Sequence, residues 1–259
     1  LNNDLPVASS RSLTVNGTLD CGTKLVSGAG AFTLSAGATL KTANATGVNG
    51  SITVSGTKTL NIAANYVFNG TTAQVTGASL MPTTVNNLTI DNAAGVTLTN
   101  NPQIVAGSLQ VNTGAILNVS AAKQLTVTGA LTNNGTLNLL SSVDGTATII
   151  TGSVNGNGTT NVNQYLALPR RTWYMSSPVA SASPAGSFVI RSYNETTDKW
   201  NDATLPMVFG KGYSVTPPEL NPPTNILFTG ALNTGEKTIE LQKDGLTSQK
   251  GFNFVGNPY

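Results

Sequence analysis

The 259-residue sequence predicts an all-β protein: a right-handed parallel β-helix, or solenoid, over residues 1–162, followed by an antiparallel β-sandwich over residues 163–259. Three observations lead there. Short apolar–polar alternations of period two recur at intervals near 20 residues through the first 160 positions, the mark of repeats that stack on their neighbours. Gly, Asn and Thr punctuate those alternations too densely for helices. Finally, residues 1–160 hold nine charged residues, three aromatics and three prolines, whereas 161–259 hold fifteen, twelve and nine. A change of that size places a boundary near Asn161–Pro169, because a domain core rarely changes character midway.

The first half repeats one phrase: LTVNGTL from Leu13, FTLSAGATL from Phe32, ITVSGTKTL from Ile52, LTIDNAAGVTL from Leu88, LQVNTGAIL from Leu109 and LTVTGAL from Leu125. A degenerate copy, AQVTGASL from Ala73, fills the one long gap. In the fullest copy Leu88 and Ile90 flank Thr89, and Val96 and Leu98 flank Thr97, with a turn over Asp91–Gly95. That is strand, turn, strand. Thr suits the outward positions, since its branched carbon fits a pleated surface while its hydroxyl stays wet. One such pair cannot bury its apolar face, so it needs neighbours. Leucine-rich repeats demand a fixed Leu/Asn consensus that is missing here. A parallel β-helix fits better, with two or three short strands per coil and corners of Gly and Asn, which tolerate positive φ. About eight coils are expected over 160 residues at a period near 20. Leu13, Val15, Phe32, Leu34, Ile52, Val54, Leu88, Ile90, Leu109, Val111, Leu125 and Val127 are expected to stack inside. A sandwich of antiparallel hairpins is the rival, because irregularly spaced short strands also mark that fold.

In the second half, SFVIRSYNETTDKWND reads as strand, turn, strand with the turn at Asn194–Asp198. NILFTGALNTGEKTIELQ reads the same way, turning at Asn233-Thr234-Gly235. Aromatics supply a core, and Pro217-Pro218 and Pro222-Pro223 mark loops or edges.

The stretch TVNNLTIDNAAGVTLTNN resembles the repeats of large secreted surface proteins of Bacteroidetes, and RRTWYMSSPV, SYNETTDKW, GKGYSV, FTGALNTGE and GFNFVGNPY resemble, in order, the β-rich domain that commonly follows them. The resemblance implies export by the type IX route and an adhesin or scaffold role at the outer cell surface. It implies no catalytic residue. Family members continue beyond the position of Tyr259, so the second domain is expected to be cut short and the sorting domain to be missing.

Composition excludes several chemistries. Charged residues make up 9% of the chain and the net charge is +2, so the Lys/Arg excess that neutralises phosphates is lacking and no nucleic-acid partner is expected. With no histidine, the commonest general base and metal ligand is gone. The lone Cys21 reads as a small buried hydrophobe, and no zinc set exists beside it. No apolar run approaches the roughly 18 residues of a membrane helix, so no membrane insertion is expected. No cofactor is called for. A β-helix glycosidase or lyase would need paired carboxylates or a basic residue beside an acidic cluster. The first half offers Asp4, Asp20, Asp91 and Asp144, without glutamate and at separations unrelated to the period; Lys24, Lys41, Lys58 and Lys123 have no acidic neighbour in sequence. In the second half Glu195 and Asp198 flank a turn, and GKGYS lacks the spacing and the helix of a phosphate loop.

What is left is recognition. Arg170, Arg171, Trp173, Tyr174 and Trp200 are the candidate contact residues, since aromatics beside arginines stack on sugars or partner proteins. The bland reading is that Trp173 and Tyr174 begin a core strand. The sequence as a whole reads as a non-catalytic extracellular or cell-surface module, a rigid solenoid presenting a β-sandwich. The alternatives are a carbohydrate-binding accessory module and, behind it, a polysaccharide-degrading β-helix enzyme. Other surface proteins or glycans are the expected partners, and unpaired coil edges leave self-association open.

Overall fold

A computed structural model describes residues 1–167, 171–217, 224–243 and 251–259, and the chain divides into two compact units. The first comprises residues 1–140 and 147–159; the second comprises 141–146 and 160–259.

The first unit is a parallel β-solenoid of seven turns. Each turn opens on a first-face strand, at Ser12–Val15, Ala31–Leu34, Lys58–Leu60, Thr84–Val85, Ile104–Val105, Gln124–Val127 and Thr148–Thr151. A short corner then leads to the second face, a continuous seven-stranded parallel sheet of Thr18–Asp20, Thr39–Thr42, Asn65–Phe68, Leu88–Ile90, Leu109–Val111, Leu131–Asn133 and Val154–Asn155. The third face carries Val26–Ser27, Gln74–Val75, Val96–Leu98, Ile116–Val119 and Thr136–Leu139. Every strand pair between successive turns is parallel, which rules out the rival hairpin sandwich for this unit.

Register makes the core. Leu40, Tyr66, Leu88, Leu109 and Leu131 stand directly over one another along the second face, and all are buried. Phe68, Ile90 and Val111 form the adjoining inward row, while Val96, Leu117 and Leu137 line the third face. Of the twelve residues expected inside, all but Leu13 are buried. Because strands rise with side chains alternating between faces, the partners of these rows point outward: Val67, Thr89, Gln110 and Thr132 in one ladder, Thr14, Thr33 and Thr59 in another. Asn138 donates to Asn118 Oδ1 at 2.7 Å on the third face, the same amide stacked one turn on.

The irregular intervals now have a cause. The phrases at Leu13, Phe32 and Leu125 turn the corner from face one to face two, those at Leu88 and Leu109 from face two to face three, and that at Ile52 leads back to face one. The phrase is therefore a corner, and any of three corners can carry it. AQVTGASL is not a further coil: Gln74–Val75 is the third-face strand of the turn that begins at Lys58. Seven turns replace the expected eight because segments outside the regular winding, including the single helical turn Val48–Ser51, lengthen some coils.

A buried polar staple holds that irregular region. Gln74 Oε1 accepts from the Gly70 N–H and from Asn92 Nδ2, both at 2.8 Å, while its Nε2 donates to the Thr42 and Asn44 carbonyls at 3.0 Å. Every hydrogen-bonding position of that amide is used, so its burial costs little. At the corners the backbones come into near contact: a Cβ on Gly129 would lie 2.1 Å from the Gly107 carbonyl oxygen one turn away.

The second unit is antiparallel β. A four-stranded sheet runs in the order Trp173–Met175, Tyr213–Thr216, Val189–Asn194, Lys199–Asp202. The expected hairpin of SFVIRSYNETTDKWND is present, pairing Tyr193 with Trp200. The second expected hairpin is not. Thr224–Thr229 pairs instead with Thr159–Leu166 over six residues, and residues 236–243 form no strand. The longer ladder wins because it buries Ile226 and Phe228 beside Val162 and Leu166 on one side, whereas Ile239 packs against Gly210. Pro218, Pro222 and Pro223 lie outside the described residues.

Two outcomes follow for the solenoid. Leu117→Ala is expected to cost about 2–5 kcal/mol in urea unfolding, with amide-exchange protection lost first in the turns that flank it. Tyr66→Phe is expected to be neutral or stabilising by about 1 kcal/mol, because the buried Tyr66 hydroxyl has no hydrogen-bond partner; a marked loss of stability would contradict this.

Candidate functional site

The four-stranded sheet of the second unit has two unlike faces. Trp173, Met175, Ile190, Tyr213 and Val215 share one side by the register, and Tyr213 and Val215 are buried there. Tyr174, Ser214, Arg191, Tyr193, Trp200 and Asp202 share the other. The candidate residues are thus divided by the period of two. Arg171 lies over the Trp173 ring at 5.0 Å, on the first side, while Tyr174 and Trp200 meet on the second. Arg170 lies outside the described residues.

On the second side four aromatic rings gather. Tyr174 and Trp200 are near parallel, with centroids 6.0 Å apart and planes 21° apart. Phe254 meets both edge-on at 5.2 Å, and Tyr193 meets Trp200 edge-on at 5.8 Å. Two small residues of the 210–216 segment make room. Ser214 sits buried in the row between Tyr174 and Arg191, and a Cβ on Gly212 would fall 2.4 Å from the Phe254 ring. The glycines of GKGYS therefore serve packing: Gly212 N–H donates to the Phe254 carbonyl at 2.8 Å, and Gly256 N–H to Gly210 at 3.0 Å. The rings are not sealed, since Tyr174 is 67% and Trp200 40% exposed.

A cleft of about 660 Å³ opens beside them, with Tyr193 and Phe254 in its wall. Its charged lining is Glu195, Asp202 and Glu240 against Lys211. Asp202 pairs with Arg191 at 3.5 Å, and Lys211 lies over the Tyr213 ring at 5.9 Å. The turn residues are engaged locally: Asn194 Oδ1 accepts the Thr197 N–H at 3.1 Å, and Asp198 accepts the Tyr193 hydroxyl at 2.6 Å. That bond to Asp198 holds the Tyr193 pKa above its ordinary value. Glu195 is buried, whereas Glu219 and Asp244 lie outside the described residues.

Elsewhere the chemistry is structural. The register brings Lys41 opposite Asp20, an ion pair at 3.7 Å that sequence neighbourhood did not reveal. Among the described residues no three His, Cys, Asp or Glu side chains converge as a metal site, and no helix is long and apolar enough to cross a membrane. Cys21 is fully buried, and burial pushes its thiol up to about 11. Phe254 escaped sequence reasoning because it joins Tyr174 across 80 residues; its one local signal was the alternation of Phe252 and Phe254.

Cys21 gives a pH test. Raising the folded-state pKa from 9.0 to about 11 favours the protonated folded form, so stability falls as pH rises between those values. At pH 8 iodoacetamide is expected to alkylate the native chain at least about a hundredfold more slowly than the urea-unfolded chain, since two pKa units remove that much thiolate. Equal rates would show the thiol to be open.

No curated protein and no solved structure matches this chain. A family model described as Domain of unknown function (DUF8693) matches residues 77–259, which takes in the later turns of the solenoid and the whole of the antiparallel unit. The chain belongs to this DUF8693 family.

Proposed function

We propose that the protein is a non-catalytic structural and adhesive module of the extracellular space or outer cell surface. In this reading the solenoid is a stiff, nearly uncharged spacer, and the second unit closes as a β-sandwich that makes contact through Tyr174, Trp200 and Phe254. The observation that carries it is the gathering of these rings from three separate segments onto a single exposed sheet face. Large aromatic side chains held together at a surface are the usual centre of a recognition site, because each covers much area with few rotatable bonds. The phrases shared with secreted Bacteroidetes surface proteins support the location, and a type IX route with it.

The test uses the full chain on plates coated with mucin, collagen, cellulose or pectin. Wild type is expected to be retained on at least one coating, and the Tyr174→Ala/Trp200→Ala/Phe254→Ala variant to lose at least tenfold in retention while keeping its far-UV circular dichroism. Equal retention of the variant, no retention of the wild type, or release of reducing ends or unsaturated sugars from any coating would overturn the reading.

A further inference from the structure

We infer that the aromatic face and its cleft take a neutral polysaccharide, with a flat pyranose stacked on Tyr174 and Trp200 and its hydroxyls turned to the cleft wall. This rests on the adhesive reading and names its ligand. A pyranose with equatorial hydroxyls has an apolar C–H face and a polar rim, and the site has the same division. Tyr174, the most exposed ring of the cluster at 67%, presents apolar surface, while Thr196, Asn201, Thr204 and Thr238 line the adjoining cleft with uncharged donors and acceptors.

Charge selects among glycans. The cleft lining carries both signs, Glu195, Asp202 and Glu240 together with Lys211; Arg191 sits on Asp202, and Lys237 lies over the lining Phe209 ring at 5.7 Å. A uronate polymer would bring carboxylates along its whole length to a lining that already holds three. An amino-sugar polymer would bring many ammonium groups to a site that has Lys211 and Arg191 already in place. A neutral chain meets neither obstacle, and stacking on an aromatic face needs no charge.

The experiment is native electrophoresis of the full chain through gels containing xylan, β-glucan or galactomannan, with polygalacturonate and chitosan as the charged comparisons. At least one neutral polymer is expected to retard the wild type. Tyr174→Ala and Trp200→Ala are each expected to weaken retardation at least tenfold, Trp200→Phe to keep most of it, and Arg171→Ala, on the other side of the sheet, to leave it unchanged. Retardation by polygalacturonate or chitosan alone, by no polymer, or undiminished in both ring-to-Ala variants would overturn the inference. Urea unfolding of each variant separates loss of binding from loss of fold. If protein-coated plates still retain the chain through these rings while every neutral gel is blank, the ligand class falls and the adhesive reading stands. If the triple variant attaches as well as wild type, both fall.

Discussion

The solenoid depends on one constraint: residues at equivalent positions of successive turns must lie directly over one another, in register, at the spacing of paired strands. Leu40, Tyr66, Leu88, Leu109 and Leu131 obey it on the second face, each pair fixed by parallel backbone hydrogen bonds. A slip of one residue would turn the whole inward row to water, so burial and register enforce each other. The same constraint accounts for the poverty of charge. In a parallel stack every outward residue has its counterpart directly above and below, and like charges so placed repel. Thr on Thr and Asn on Asn have no such penalty, as in Thr14, Thr33 and Thr59 or Asn118 and Asn138. Where charge enters, as at Asp20 and Lys41, opposite signs are stacked.

Departures from the winding are handled by complete polar satisfaction. Around residues 42–51 and 69–76 the chain leaves the regular corner geometry, and buried Gln74 and Asn92 take up the backbone groups left over. The alternative, an unpaired carbonyl inside the coil, costs more than an amide that uses all its positions. The Tyr66 hydroxyl shows the limit of this accommodation, a large ring that fills its place in the inward row and leaves its oxygen without a partner.

The antiparallel unit solves a different problem. Its sheet buries one side, with Tyr213 and Val215, and leaves rings exposed on the other, where small residues at positions 212 and 214 let them lie close to the backbone. Exposed rings and core are thus written on alternate residues of the same strands. Tyr174 belongs to the exposed side and its neighbours Trp173 and Met175 to the other.

Read alone, the sequence determined what is local. A period of two gave the strands, and the inward set from Val15 to Val127 follows from it. Gly and Asn marked the corners, and the Asn194–Asp198 turn closed the hairpin it announced. Only tertiary structure decided which of three corners each phrase occupies, which strand Thr224–Thr229 pairs with, and that Phe254 joins Tyr174 and Trp200 while Arg171 and Trp173 lie elsewhere. The physical reason is that side-chain alternation is settled within a few residues, whereas strand pairing is settled by the total surface that competing partners bury, and those partners stand far apart in the chain.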